Sequence, residues 1–149
     1  MINMNEKMKK ILKVKGGQAS CLKINAIVNQ IVNNTKIIKG CIIFDKDGTL
    51  EEDKINFTRI LKMVGDKTGY EVSCNEFRFS QEMLGTNEIL MLADKLSKSL
   101  SQKCTKIIVV YIALCNDEIE LRFHSYRKDE GLWLDNDLDQ YDIPILCWM

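Results

Sequence analysis

Lys106 to Arg127, KIIVVYIALCNDEIELRFHSYR, decides the fold. Ile107 to Cys115 is an unbroken β-branched and apolar run, the composition a sheet interior favours. Asn116-Asp117 supplies two residues that tolerate the positive φ of a tight hairpin turn. Beyond the turn, Ile119, Leu121 and Phe123 alternate with Glu120, Arg122, His124 and Tyr126, which puts the two sets on opposite faces of a strand. A two-residue turn sets Leu114 opposite Ile119, Ile112 opposite Leu121 and Val110 opposite Phe123. These three apolar pairs share one face and pin the register, since a one-residue slip would turn them all to solvent. The other face joins Val109, Tyr111 and Ala113 to His124, Arg122 and Glu120. Its mixed chemistry predicts a surface that is lightly covered or used for binding.

Working outward, Ser20 is placed as an N-cap, with Ile24, Ile27, Val28 and Ile31 forming the stripe of a helix that runs to about Asn33. Gly16-Gly17 breaks whatever precedes it, and residues 1–16 read as a frayed helix or an edge strand. Thr35 to Phe44 is strand-like. A second helix is predicted over about Glu52 to Lys67, with Phe57, Ile60, Leu61 and Val64 as its stripe and Gly69 beyond its end. Residues 73–84 carry both a capping-box spacing and a strand-like alternation, Phe77-Arg78-Phe79, and stay open between the two. A third helix follows, capped by Thr86 or Asn87, with Ile89, Leu92, Ala93, Leu96 and Leu100 on one face. A short helix over Asp135 to Gln140 and a final strand at Ile143 to Leu146 complete the chain; Pro144 argues for a sheet edge there. The expected architecture is α+β: one domain, about three helices packed on a mainly antiparallel sheet centred on residues 106–127.

At 149 residues, 46% hydrophobic and 28% charged, the composition is that of a globular domain and excludes disorder. No apolar run approaches a membrane span, and no signal-peptide block is present, so a cytoplasmic protein without membrane association is expected. Six cysteines are scattered singly with one histidine, which argues for reduced thiols and against a zinc site. Net charge is zero but unevenly placed. Residues 1–40 hold eight lysines against Glu6, and the remainder balances them with an excess of seven acids. Six of those acids, Asp129, Glu130, Asp135, Asp137, Asp139 and Asp142, fall within fourteen residues that contain no base. Trp133 and Tyr141 lie among them. Aromatic side chains beside carboxylates suit a protein-binding surface, although solvated faces account for charge runs equally well. Asp135, Asp137 and Asp139 have the first spacings of a calcium loop, but Gln140 and Leu146 occupy its glycine and glutamate positions. Neither a Gly-rich phosphate cradle nor a specific nucleic-acid signature occurs.

Two motifs bear on catalysis. Cys41 to Leu50, CIIFDKDGTL, resembles the first motif of the haloacid-dehalogenase phosphatase superfamily, an apolar strand followed by DxDGT. The resemblance implies Asp45 as nucleophile and Mg²⁺ ligand, Asp47 as acid/base, and Asp117, which follows a long strand, as a further metal ligand. The chain departs from that pattern where Ser73 follows only Tyr70-Glu71-Val72, too short for a central strand. The competing reading is a turn at Lys46-Asp47-Gly48 between two strands, with Gly48 in the left-handed region. The polar strand face Glu120, Arg122, His124 and Tyr126, with Arg127, would suit a small ribonuclease using His124. Against it stands His124 packed beside Val109 and Tyr111.

From Glu120-Leu121-Arg122-Phe123-His124 through Glu130-Gly131-Leu132-Trp133-Leu134 to Tyr141 and Pro144-Ile145-Leu146, the C-terminal third is similar to small bacterial proteins of toxin-immunity and uncharacterised families. That resemblance implies a compact, non-catalytic α+β protein whose acidic surface covers the basic active site of a toxin domain.

Overall fold

A computed structural model describes residues 1–14 and 20–149; the Gly16-Gly17 break lies outside the described residues. The architecture is α+β. Among the described residues, seven strands and five α-helices follow in the order β1 (Ile2–Met4), α1 (Glu6–Leu12), α2 (Cys21–Asn33), β2 (Thr35–Ile38), β3 (Cys41–Phe44), α3 (Phe57–Val64), α4 (Lys67–Cys74), β4 (Glu76–Ser80), α5 (Thr86–Cys104), β5 (Ile108–Cys115), β6 (Glu118–Ser125) and β7 (Ile145–Trp148). The main sheet is antiparallel in the order β1-β7-β5-β6-β4, and β2-β3 forms a separate two-stranded sheet.

The β5–β6 hairpin has the predicted register, Val110 opposite Phe123, Ile112 opposite Leu121 and Leu114 opposite Ile119. Asn116 and Asp117 take φ of 48° and 64°, the paired left-handed conformation of a type I′ turn. The apolar face of the hairpin, with Leu146 of β7, packs on Met8 of α1, on Ile24, Ile27, Val28 and Ile31 of α2, and on the Leu92, Leu96 and Leu100 stripe of α5. Those three leucines are fully buried, and each contributes about 1.5–3 kcal/mol by leaving water.

Several sequence expectations are corrected. Thr35 to Phe44 is two strands, turned at Lys39-Gly40, both at positive φ. The helix expected over Glu52–Lys67 is a 3-10 turn at Glu52–Lys54 followed by α3, which stops at Gly65 (φ 93°) instead of running on to Lys67. Gly69 belongs to α4, where a Cβ would sit 2.6 Å from the Val64 carbonyl oxygen; it permits the close approach of α3 and α4. Residues 73–84 resolve as the end of α4, strand β4 and a 3-10 turn at Gln81–Met83. Gly85 caps α5, and Glu88 accepts its N–H (3.0 Å) and that of Ser20 (2.9 Å), joining two helix starts. Ser20 precedes α2 as expected but makes no side-chain cap. The acidic segment holds only a 3-10 turn, Leu138–Gln140. Pro144 does not mark an edge: β7 lies between β1 and β5, and the proline precedes its first paired residue, so no ladder N–H is lost. The Pro144 carbonyl accepts from Leu114 N–H at 3.1 Å.

Candidate functional site

The outer face of the sheet carries the site. Pairing sets Tyr111 opposite Arg122, Ala113 opposite Glu120 and Val109 opposite His124, and β7 adds Ile145 and Cys147 beside β5. Residues 132–143 cross this face as a strap, pressing Leu132, Leu134, Leu138, Tyr141 and Ile143 against Val109, Tyr111, Ile145 and Cys147. Tyr111 organises the crossing. Its hydroxyl accepts the N–H groups of Trp133 (3.2 Å) and Leu134 (3.5 Å), and its ring meets Trp133 edge-on at 5.5 Å. The Arg122 guanidinium lies 5.6 Å from the Trp133 ring centroid, a cation–π contact. Burial raises the Tyr111 phenol well above its ordinary value.

The strap is tied to the far end of the chain. Asn3 donates to the Asn136 carbonyl (2.9 Å), Asn5 to those of Leu138 (3.2 Å) and Ile143 (2.7 Å), and Lys7 to that of Asp142 (2.5 Å). Asp139 accepts the Glu6 N–H at 2.8 Å, placing an acid at the start of α1 where the helix dipole favours it. Lys7 and Asp139 thereby find backbone partners at the opposite end of the chain. Even so, Asp129, Asp135, Asp137, Asp139 and Asp142 form no ion pair among the described residues, and all five are exposed. Glu130 alone of the six turns inward. It accepts the Thr68 N–H at 2.7 Å and lies 4.0 Å from Arg127; burial works against its charged form, but these contacts outweigh it and lower its pKa.

Two cavities flank the strap. An open cleft of about 530 Å³ is lined by Tyr126, Gly131, Trp133, Asp135 and Asn136, with Trp133 41% and Tyr126 36% exposed. A narrower, mostly apolar cavity of about 250 Å³ lies between the strap and the sheet, walled by Tyr111, Ala113, Trp133, Tyr141 and Ile143.

The polar strand face predicted for Glu120, Arg122, His124, Tyr126 and Arg127 is divided by its surroundings. Glu120 and Arg122 pair with each other (2.5 Å) and with the charges of β4: Arg122 meets Glu76 at 2.8 Å, and Glu120 meets Arg78 at 3.3 Å. His124 is fully buried, stacked on Tyr111 with 5.7 Å between centroids, its Nδ1 2.8 Å from the Ser125 carbonyl oxygen. That contact assigns the proton to Nδ1 and leaves Nε2, 3.4 Å from the Tyr111 hydroxyl, as acceptor. Burial lowers the His124 pKa. Arg127 turns inward to Glu71, a fully buried carboxylate that also accepts the N–H (2.8 Å) and Oγ–H (2.7 Å) of Ser125. Ser125 and Arg127 thus lock α4 to the end of β6. Tyr126 alone of the five faces the open cleft.

Asp45 sits at the end of β3, which runs antiparallel to β2 in the small sheet, unlike the central parallel strand that the phosphatase resemblance implies. Its carboxylate is 3% exposed and fully engaged, pairing with Lys36 at 2.5 Å and accepting the N–H groups of Thr49 (3.2 Å) and Leu50 (3.0 Å). The Lys36 hydrogen bond leads the contacts that lower its pKa. Gly48 is left-handed as expected (φ 70°), but no strand follows it, so the hairpin turn expected at 46–48 is a turn leading into a 3-10 segment. Asp47 is exposed, and Asp117 occupies the β5–β6 turn, where its carbonyl accepts from Gln81. Among the described residues, no three Asp, Glu, His or Cys side chains gather as a metal-holding group.

Trp133, Asp135 and Tyr141 are brought together as the sequence suggests. Tyr111 and Ala113, on the mixed face that the hairpin register predicts, wall the same region, and Asn5 braces it. The size alternation Val109, Tyr111, Ala113 on one strand face was the available signal for the cavity; nothing local marked Asn5. No helix of the described residues is long and apolar enough to cross a membrane. Comparison with curated proteins and with solved structures finds no match. One family model covers residues 3–148, nearly the whole chain, and the protein belongs to that family, the Uncharacterized protein PM0498 family.

Proposed function

We propose that the protein is a non-catalytic binding module for a basic protein partner, and that its contact surface is the acidic segment Asp129–Asp142 together with Tyr126. One observation carries this reading: exposed Trp133 lines an open cleft within a segment whose five exposed aspartates form no ion pair among the described residues. Aromatic anchors ringed by one sign of charge combine contact area with electrostatic steering. The partner class that fits is a toxin domain with a basic, phosphate-binding active site, whose arginines and lysines the carboxylates would engage in place of phosphates; the protein would then act as its immunity protein.

A photo-cross-linking residue at position 133 tests this in lysate of the source cell. A basic protein should be captured at 133 but not at Leu22, which is 84% exposed on α2. Capture should fall with added salt and with Asp135, Asp137, Asp139 and Asp142 changed to Asn. Asparagine keeps an Oδ1 acceptor, so the hydrogen bonds that Asp137 and Asp139 give the strap survive while the charge is lost. Capture that ignores both salt and charge would refute the assignment of this surface.

A further inference from the structure

We infer that the 250 Å³ cavity between the strap and the sheet receives one apolar anchor side chain, of leucine to tryptophan size, from a basic segment of the partner. This rests on the binding reading above and adds to it a pocket and an occupant.

The cavity has a definite origin. On the outer sheet face, β5 presents Val109, Tyr111 and Ala113 in succession, and the first two are buried against the strap. At Ala113 the side chain stops at a single methyl, between Ile145 on one neighbouring strand and Glu120 on the other. Overhead, Trp133, Leu134, Tyr141 and Ile143 cannot settle into the gap. Their backbone is held off the sheet by the Tyr111 hydroxyl and by the Asn5 bonds to the carbonyls of Leu138 and Ile143. A void held open by hydrogen bonds remains a void.

Its walls favour an apolar occupant. Arg122 already donates to Glu120, to the Val72 carbonyl (2.9 Å) and to Glu76. Glu120 is shared between Arg122 and Arg78. The Tyr111 hydroxyl accepts two amides and faces His124, and the Tyr141 hydroxyl accepts the Asp135 N–H at 3.4 Å. With most polar groups of the wall engaged, the surface offered is mainly that of aromatic rings, isoleucines and a methyl group.

Size selects a side chain over a metabolite. Small-molecule sites usually span about 300–1,000 Å³, whereas an apolar cavity of about 150 Å³ accepts a benzene ring. Charge selects a protein. Trp133 and Leu134 form a wall shared with the open cleft, where Asp135 lies, and exposed Asp142 separates Tyr141 from Ile143. Basic residues flanking an inserted anchor would meet unpaired carboxylates on both sides, the arrangement of an interface hot spot: a desolvated apolar anchor inside a polar rim.

Toluene and indole, as side-chain analogues, test the pocket by NMR titration of the full chain. Saturable shifts confined to Ala113, Trp133, Tyr141 and Ile143 are expected. Ala113→Leu, which fills the space, should weaken binding by about tenfold or more while leaving the melting temperature equal or higher. Ala113→Val serves the same purpose if the leucine overpacks the sheet. Absence of a saturable shift up to the solubility of the probes, or undiminished binding by a folded Ala113 variant, would overturn the pocket and leave the charge-dependent cross-link at 133 standing. Probe binding without that cross-link would overturn the basic partner as occupant.

Discussion

Asn5 should matter far more than its place in the weakly patterned N-terminus suggests. The side chain is 1% exposed and makes four hydrogen bonds. Its Oδ1 accepts the N–H groups of Met8 and Ile145, both at 3.0 Å, capping α1 and β7 at once. Its Nδ2 donates to the carbonyls of Leu138 and Ile143 and so holds the strap. At a net value near 1 kcal/mol for each bond, Asn5→Ala should cost about 4 kcal/mol, a large share of the roughly 5–15 kcal/mol that holds a domain folded. Asn5→Asp separates the two halves of the role. It keeps both acceptor contacts but turns a carboxylate oxygen toward two carbonyl oxygens in a buried site. At neutral pH it should therefore destabilise at least as much as alanine. Burial and those carbonyls raise the folded-state pKa of the new carboxyl above the ordinary ~3.9 of aspartate. Between these values the folded state binds more protons, so the deficit relative to the parent should narrow as pH falls through the folded pKa and become constant below the unfolded one. Urea unfolding of parent and variants, compared at matched pH, reads both effects. An Asn5→Asp protein as stable as the parent at neutral pH would refute the reasoning. So would an Asn5→Ala loss no larger than the ~1 kcal/mol of an ordinary helix cap.

The Glu71–Arg127 contact predicts a second asymmetry: Glu71→Ala strands Arg127 and the Ser125 N–H and should cost about 3–5 kcal/mol. The double change Glu71→Met, Arg127→Met should cost less than the sum of the single changes, a coupling that denaturant unfolding of all four proteins would detect and strict additivity would deny. His124 predicts a pH dependence. Burial lowers its folded-state pKa below the ordinary 6.5, so its stabilisation is complete above 6.5 and is lost as pH falls from there toward the folded value, with a slope of at most about 1.4 kcal/mol per pH unit. The slope should vanish in His124→Gln; its persistence would place the titrating group elsewhere.

The elements that were legible in the sequence are those whose partners lie nearby in the chain. The β5–β6 register followed from alternation and a two-residue turn because each pairing contact lies within about twenty residues of its mate. The stripes of α2 and α5 followed from helical spacing alone. The Lys39-Gly40 turn carries no local mark because a lysine at positive φ leaves no Asn-Gly signature, and Pro144 is compatible with an inner strand because a proline just before the first paired residue costs the ladder nothing. The acidic, tryptophan-bearing segment was visible as composition. Its form as a strap was not, since Asn3, Asn5, Glu6 and Lys7 hold it across more than 130 residues. His124 and Arg127 read as a reactive strand face until packing stacked His124 on Tyr111 and α4 supplied Glu71 to Arg127. Local patterning determined which residues pair and which faces are apolar. Only the packing of distant segments decided which polar groups are consumed in holding the fold and which, like Trp133 and the aspartates around it, remain exposed, because burial and hydrogen-bond satisfaction belong to the assembled chain and to no single stretch of it.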